Sequence, residues 1–309
     1  MKTENLSSIQ NNFYNNQDVT LSIIVTCFNY EKFIAQAIDS FLMQKTNFKV
    51  EILINDDASK DRSVSILKEY ERKFPNLFRI FYQKENQYSK GIKPWFDILF
   101  PEAKGKYIAL CEGDDYWTDP YKLQKQVDFL KNNPEFSMSF HDAFVVKNDV
   151  KLYKYVSKNK SVFTIEDLFE KHFIPTASIV FKNNLQIPDW YSKVQSGDKL
   201  LLFLLALKGN IKYLNEVMSV YRLHEGGISN THFGIKKVYD SALLLNLVDM
   251  ETNYKYNKNC HASLFYEIET HLSNKIKLSS EIEIKNIRIR LLINEIIRRL
   301  SKKIQFFFK

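Results

Sequence analysis

Short apolar runs alternate with helical patterns through the first part of the chain. Most of these runs are rich in β-branched residues and end in a polar turn, which is typical of buried strands. The predicted strands are 21–27, 50–55, 78–83 and 107–111, and the predicted helices extend from 31 to 43 and from about 61 to 73. This alternation predicts an α/β fold in which helices flank both faces of a mainly parallel central sheet.

The pattern is less regular beyond residue 135. Apolar and polar residues alternate at 136–146, which predicts a half-buried strand, whereas the lysine-rich segment 148–163 is predicted to be a mobile loop. Residues 176–181 predict a further strand, and the pattern past Gly234 is helical with no Pro or Gly to interrupt it. We therefore divide the chain into a polar leader at 1–18, an α/β domain at 19–232 and a helical C-terminal region at 233–309.

Three carboxylates follow the strand at 107–111 within four residues: Glu112, Asp114 and Asp115. In open α/β sheets, ligands bind in the crevice outside the carboxyl ends of the strands. Carboxylate oxygens are hard ligands suited to Mg²⁺ or Mn²⁺, which typically bridge the protein to the phosphates of a nucleotide. The sequence therefore predicts a cation and nucleotide site here, and the alternative is a solvated acidic turn.

Motifs at successive strand ends resemble the signatures of a known family. Ser22–Tyr30, Glu51–Ser59 and Glu112–Asp115 are similar, in order and spacing, to motifs of the family 2 glycosyltransferases, whose nucleotide-sugar-binding domain has the fold called GT-A. The likeness continues through Gly197-Asp198 and Tyr221–Ser229, so it covers about residues 20–230.

The resemblance implies an inverting, metal-dependent glycosyltransferase of bacterial surface polysaccharide synthesis. Such an enzyme moves a sugar from a nucleoside-diphosphate sugar to a hydroxyl of a glycan or lipid-linked acceptor, and Mn²⁺ or Mg²⁺ stabilises the departing diphosphate. Two positions depart from the family pattern: Ala58 stands where glycine is usual, and Glu112 where aspartate is frequent. The alternative is a non-catalytic sugar-nucleotide-binding or scaffolding protein with the same fold.

The resemblance also assigns the residues of the nucleotide site. Thr26, Phe28 and Asn29 match the loop after the first strand that packs on the base and ribose. Asp57 matches the aspartate that accepts hydrogen bonds from the base, which favours a donor of the UDP or dTDP type. From the residues alone, Asp56 and Asp57 are equally consistent with an Asx turn that caps the next helix.

The metal and the base are assigned in the same way. Asp114 and Asp115 match the family's metal-binding and nucleotide-binding carboxylates, and His224 matches a position that approaches the metal or the diphosphate. Asp198 matches the general base that takes the acceptor proton, at a helix N-terminus where the helix dipole favours the ionised form. The alternatives are a plain N-cap for Asp198 and a structural hydrogen-bonding role for His224.

Composition narrows the cellular location. Three cysteines are a sparse, odd set, and two of them lie in apolar strands, which favours a reducing compartment over a disulfide framework. The leader lacks the apolar core of a signal peptide, and no apolar run reaches the ~18 residues that span a bilayer. We therefore predict a cytoplasmic protein, either free or peripheral on the inner face of the cell membrane.

The positive charge is concentrated at the end of the chain. Residues 285–309 hold eight Lys or Arg against the single acidic residue Glu295, and their apolar residues recur at helical spacing. This pattern predicts a basic amphipathic helix on an anionic membrane, or alternatively a terminal helix that packs on the domain or on a second subunit of a homodimer. Because the excess charge does not line the sheet edge, no nucleic-acid partner is predicted despite the net charge of +8.

Overall fold

The computed structural model describes residues 7–9, 18–156, 159–170, 173–226 and 235–276. Its helices are α1 Ile34–Leu42, α2 Ser63–Lys73, α3 Lys122–Asn132, α4 Ile165–Leu168, α5 Gly197–Ala206, α6 Ile235–Glu251 and α7 Asn257–Ile276. Its strands are β1 Ser7–Ser8, β2 Leu21–Cys27, β3 Lys45–Thr46, β4 Val50–Asp56, β5 Phe78–Tyr82, β6 Tyr107–Leu110, β7 Tyr116–Trp117, β8 Phe136–Lys147, β9 Val150–Lys154, β10 Val162–Phe163, β11 Val180–Lys182 and β12 Asn210–Leu223. The predicted basic helix at 285–309 lies outside the described residues.

The main sheet has ten strands within the described residues. Its order is β10-β12-β8-β11-β6-β2-β4-β5, with β7 paired to β12 and β9 paired to β8. The four strands from β6 to β5 are parallel, as the repeated strand and helix pattern predicts. Beyond β6 the sheet is mixed, because β11 lies antiparallel between β6 and β8 whereas β8 and β12 are parallel. The predicted α/β class is confirmed.

The first helix begins later than predicted. The prediction started it at Glu31, but α1 begins at Ile34 because the backbone before it is used in other contacts. The Tyr30 amide donates to Ser63 Oγ at the start of α2, and the Glu31 amide donates to Asp61 Oδ2 in the loop after β4, each at 2.9 Å. The apolar face of α1 then packs into the core beside β2, with Ile38 and Phe41 fully buried.

A short piece of the predicted polar leader belongs to the core. Ser7 and Ser8 form β1 and pair antiparallel with β3. Ile9 is fully buried in the main hydrophobic cluster, and its amide donates to the Gln44 carbonyl at 3.1 Å. Residues 1–6 and 10–17 of the predicted leader lie outside the described residues.

Three local predictions differ from the structure. Residues 150–154, predicted as loop, form β9, because β8 continues far enough beyond β11 to offer a free edge for pairing. Residues 176–178 form a 3₁₀ turn in which Ser178 donates to the Pro175 carbonyl, so the strand there begins only at Val180. The C-terminal helical pattern is interrupted without Pro or Gly, because Asn253 and Tyr254 adopt positive φ angles of 52° and 62°.

Contacts divide the chain into two compact units. The first contains residues up to 165, 172–192 and 197–225, and it holds the main sheet. The second contains 166–171, 193–196 and the chain from 226 onward. Within it, α6 contacts α7, and the Asp240 carboxylate accepts hydrogen bonds from the amides of Gln195 and Ser196. None of the described helices combines the length and the apolar character that crossing a membrane requires.

Candidate active site

The ends of β2, β4 and β6 converge at one edge of the sheet. The Gly113 amide donates to the Thr26 carbonyl, and the Asp57 amide donates to the Cys27 carbonyl, each at 2.9 Å. A Cβ atom at position 113 would lie 2.9 Å from Ile34 Cδ1 and 3.0 Å from the Thr26 oxygen. Glycine therefore allows the acidic turn to approach the end of β2 closely.

Hydrogen bonds join the loops after β2 and β4. The Asn29 amide donates to Ser59 Oγ at 2.9 Å, and Asn29 Oδ1 accepts the Lys60 amide at 2.8 Å. Asn29 has a positive φ of 57°, a conformation that asparagine tolerates better than most residues. Its side chain therefore holds the two loops together, while the neighbouring Phe28 ring remains 42% exposed at the surface.

Asp56 and Asp57 have different partners. Asp56 Oδ2 accepts the Ser59 amide within the loop at 3.1 Å, whereas the Asx turn at the start of α2 is formed by Asp61, whose Oδ1 accepts the Ser63 amide at 2.9 Å. The Asp57 carboxylate accepts the amides of Gln87 and Tyr88, at 2.6 and 3.1 Å, and so fixes the loop after β5. Between these loops, Ala58 occupies the left-handed region with φ of 63°, at the position where the family pattern has glycine.

The acidic turn contacts the end of β12. Asp114 Oδ2 and His224 Nε2 lie 2.9 Å apart, and Asp115 Oδ1 accepts the Arg222 amide at 2.8 Å. The His224 ring also packs on the Phe33 ring, with centroids 4.7 Å apart. The structure thus brings together the three residues expected at a metal, Asp114, Asp115 and His224.

Burial and neighbouring carboxylates raise the pKa values of two carboxyl groups in this turn. Burial raises the pKa of Glu112 to about 8, and the charges of Asp114 and Asp198 add to the rise. Burial and the charges of Asp114 and Glu112 raise the pKa of Asp115 well above its usual range, although Arg222 opposes the shift. Burial is the main cause of both shifts, and the neighbouring carboxylates enlarge each of them.

Asp198 faces this turn from α5. It is the second residue of the helix, which begins at Gly197, and so it lies inside the first turn. Its charge contributes to the raised pKa of Glu112 and, after burial and Tyr221, to the raised pKa of Tyr155. The Asp198 carboxylate on α5 therefore lies close enough to the acidic turn to influence Glu112 electrostatically.

Arg222 also contacts the acidic turn, and the sequence analysis did not assign it to the site. Its guanidinium donates to the Asp114 carbonyl and to Gln36 Oε1. It also lies over the Tyr116 ring, 4.4 Å from the centroid. The sequence signal for this role is its place near the end of β12, two residues before His224. The buried Lys93 ammonium group donates to the Ser192 carbonyl at 3.1 Å.

The described residues do not form a complete set of metal ligands. Among the described residues, no three His, Cys, Asp or Glu side chains surround a common position suited to an ion. Asp114 and His224 are the pair whose ligand atoms are close enough to share one. The remaining ligands would have to come from a bound diphosphate or from a shift of Asp115.

The chain is similar in sequence to other bacterial proteins. An uncharacterized protein of Mycobacterium tuberculosis is 38% identical over 210 residues, which are 67% of this chain and 60% of that protein. The chain thus matches only 60% of this relative's length. The UDP-Glc:alpha-D-GlcNAc-diphosphoundecaprenol beta-1,3-glucosyltransferase WfgD of Escherichia coli is 28% identical over 227 residues, 72% of this chain and 85% of that enzyme.

A solved structure and a family model complete the comparison. The fold is similar to that of Staphylococcus aureus TarS 1-349 in complex with UDP-GlcNAc, with a TM-score of 0.62 and 15% identity over 91% of this chain and 81% of that one. This likeness supports the predicted GT-A type of α/β fold. Residues 22–185, more than half of the 309, match the family model described as Glycosyl transferase family 2. The chain therefore belongs to glycosyl transferase family 2.

Proposed function

We propose that the chain is an inverting, metal-dependent glycosyltransferase that uses a UDP- or dTDP-type nucleotide sugar. The proposal rests mainly on one observation: the acidic turn and α5 each supply a carboxylate to the same site. The acidic turn supplies Asp114 beside His224, and α5 supplies Asp198, whose charge is felt by Glu112. A site that only bound a nucleotide would need the first group but not the second.

The residues at the acidic turn fit a divalent cation. Asp114 and His224 offer an oxygen and a nitrogen 2.9 Å apart, and the bond to Arg222 uses only one oxygen of Asp115. Burial, with the charges of Asp114 and Asp198, raises the pKa of Glu112 to about 8, and a cation bound beside these carboxyl groups would favour their ionised forms. Mn²⁺ or Mg²⁺ bound there would neutralise the charge that develops on the departing diphosphate.

Asp198 is the proposed general base. From the first turn of α5, its carboxylate can accept the proton of an acceptor hydroxyl during attack on the anomeric carbon. The direct displacement inverts the anomeric configuration. A position inside the helix is less favourable to the plain N-cap alternative, because an N-cap residue precedes the first helical residue.

Asp57 and Phe28 are the proposed contacts to the base. A carboxylate has about four lone-pair positions, so Asp57 can hold the Gln87 and Tyr88 amides and still accept from a uracil or thymine imide. The exposed Phe28 ring offers a surface on which a base can stack. Thr26 and Asn29 would position this loop through their contacts with Gly113 and Lys60.

The acceptor is proposed to be a glycan or a lipid-linked glycan of the cell surface. This assignment is supported by the relative WfgD, a glucosyltransferase that acts on a diphosphoundecaprenol-linked GlcNAc. Such acceptors lie in the membrane, so we place the protein in the cytoplasm at its inner face. We assign transfer to residues 19–232 and regard 233–309 as a helical appendage.

Donor hydrolysis and transfer test the proposal. The full chain should release nucleoside diphosphate from a UDP or dTDP sugar with Mn²⁺ or Mg²⁺, and lose this activity with EDTA. Asp198→Asn should abolish transfer, whereas the exposed Asp189→Asn serves as the matched control. Binding of a donor without turnover in the presence of any glycan or lipid-linked acceptor would instead support the sugar-nucleotide-binding or scaffolding alternative.

A further inference from the structure

The hairpin formed by β8 and β9 presents apolar side chains to solvent. All eight residues from Lys147 to Lys154 are exposed. Val150, Leu152 and Tyr153 are 61%, 48% and 59% exposed, so large apolar groups lie uncovered within four positions. Contiguous exposed apolar side chains of this kind mark a surface for a partner.

The same hairpin is basic. Lys147, Lys151 and Lys154 stand among the apolar residues, and Asp149 is the only acidic residue from 147 to 154. Interleaved lysine and apolar side chains suit the interface of an anionic bilayer, where the rings and aliphatic groups enter the headgroup region and the ammonium groups contact lipid phosphates.

Pairing with a second copy of the chain is the competing use of this edge. Within the described residues, β9 pairs with β8 alone, and its register shifts at Leu152, where Lys151 pairs with Val146 and Tyr153 with Val145. Lysines and an irregular register on an edge strand both oppose pairing with another strand. The net positive charge would also repel an identical hairpin. The charge therefore favours an anionic surface over a second subunit.

The hairpin lies at the same end of the sheet as the active site. In the pairing of β8 with β12, Val146 is opposite Arg222 and Lys147 is opposite Leu223, directly before His224. The chain leaving β9 returns to the site, since the Tyr155 and Tyr221 rings are 5.5 Å apart and the Asp198 charge reaches Tyr155. A surface bound to the hairpin would therefore lie beside the acceptor side of the site.

We propose that the β8–β9 hairpin, residues 144–154, docks on an anionic lipid bilayer and holds the active site against the membrane. The proposal rests on the proposed function for its purpose, which is access to a lipid-linked acceptor. It concerns described residues in the first unit and is independent of the segment 285–309.

A label placed on the hairpin tests the docking directly. The three native cysteines are buried, so Leu152→Cys offers a selective site for an environment-sensitive fluorophore on the full chain. With vesicles of phosphatidylglycerol and phosphatidylcholine, we expect a blue shift that fades with salt, and no shift with phosphatidylcholine alone. The control label is Asn76→Cys, an exposed position just before β5 at the opposite edge of the sheet.

Charge removal provides the second measurement. Replacing Lys147, Lys151 and Lys154 with Gln should weaken vesicle binding roughly 100-fold, because each lysine at an anionic surface contributes about 1 kcal/mol. The matched control replaces three basic residues of α2 at the far edge, Lys68, Arg72 and Lys73, with Gln and should bind vesicles like the unmodified chain.

The outcomes separate docking from catalysis. Nucleoside diphosphate binding and hydrolysis of a soluble donor should be unchanged in the hairpin variant, so a failure of the proposed function would appear in the unmodified chain as well. A label at position 152 that stays in water while the chain sediments with vesicles would overturn the proposal. So would a shift that depends on protein concentration without vesicles, which would indicate pairing between copies.

Discussion

The two halves of the main sheet are built in different ways. From β6 to β5, every strand is parallel to its neighbour and belongs to a local succession of strand, turn and helix. From β11 to β10, pairing joins segments far apart in sequence, as in the parallel pairing of β8 with β12 and the antiparallel pairing of β7 with β12. Local hydrophobic pattern therefore describes the first half well and the second half poorly.

The difference extends to chemistry. The first half supplies the residues proposed to bind the donor, at the ends of β2, β4 and β6. The second half supplies Arg222, and His224 follows β12 directly; both contact Asp114 in the acidic turn. Asp198, the residue proposed for the acceptor side, lies on α5, just before β12 in the chain. Substitutions in the two halves should therefore separate donor binding from transfer.

The largest expected effect is on the acceptor side, at Asp198. Asp198→Asn should lower transfer by about 10²–10⁴-fold, the usual loss when a general base is removed. Donor and metal binding should remain, because asparagine preserves the shape of the side chain. The measurement is steady-state transfer together with calorimetry of nucleoside diphosphate binding. Near-normal transfer by Asp198→Asn would show that α5 contributes no base. Asp142 would not replace it, because its carboxylate is buried and accepts the Ala143 and Val156 amides.

The next effect concerns the donor side. UDP should bind at least about tenfold more tightly, or 1.4 kcal/mol, with Mn²⁺ than with EDTA, because carboxylate and diphosphate oxygens together complete the ligand set. Asp114→Asn should remove most of this difference, and calorimetry with and without EDTA measures it. Equal affinities for UDP, dTDP and GDP, with no effect of metal, would contradict both the metal and the base-recognition assignments.

The donor side could be predicted because its residues directly follow buried strands. Parallel strands carry Thr26, Asp57 and Asp114 to one edge whatever the details of the helices, and hydrogen bonds between the loops show this convergence. Their roles as ligands stay predictions. The pattern could not show that Asn29 joins the two loops, since this depends on a left-handed backbone at that residue.

The contacts made by the second half of the sheet could not be predicted from the sequence. The contact of Arg222 with Asp114 depends on the antiparallel pairing of β7 with β12 and on two register shifts between Leu214 and Ser219. The spacing of apolar residues along the sequence does not reveal such register shifts. The strand β9 was predicted as loop because the segment 148–163 is rich in lysine, and the structure shows that all five residues of β9 are exposed.

Ile9 provides a test of how firmly the first half depends on residues before β2. Ile9→Ala should lower the free energy of unfolding by about 2–4 kcal/mol, because a fully buried isoleucine is truncated and a cavity remains. Urea unfolding measures the change. Ile66→Ala, at a partly buried position of α2, is the matched control and should cost less. Equal effects of the two substitutions would show that β1 is not part of the stable core.

The buried cation Lys122, at the start of α3, should make stability depend on pH. Lys122 is fully buried, its ammonium group has no hydrogen-bond partner among the described residues, and it lies 4.2 Å from the centre of the Trp117 ring. Burial lowers the pKa of Lys122 from 10.5 to about 7. Between these values an unfolded Lys122 binds more protons than the folded one, so the contribution of Lys122 to stability should rise with pH from about 7 to about 10.5.

Lys122→Met should remove this slope and raise the free energy of unfolding at pH 7 by about 1–3 kcal/mol, because an unpaired buried cation is replaced by an apolar group. Urea unfolding at several pH values measures both effects. Lys125→Met is the control on the same helix: its ammonium group is paired with Asp119 at 2.7 Å, so its loss should destabilise slightly. A loss of stability in Lys122→Met would mean that the cation over Trp117 contributes more than its burial costs.

The smallest expected effect returns to the donor side, at Ala58. With φ of 63°, this residue carries a left-handed backbone whose cost for a non-glycine residue is roughly 1–2 kcal/mol. Ala58→Gly removes that cost but adds freedom to the unfolded chain worth about 0.4–1 kcal/mol, so a net gain of less than about 1 kcal/mol is expected. Ala58→Val should destabilise by more than Ala58→Gly stabilises, because a β-branched residue is least tolerant of this conformation. Thermal unfolding of the pair measures the asymmetry. Stabilisation by valine would show that position 58 does not hold a left-handed backbone, and that the loop carrying Asp57 is built differently from the one described.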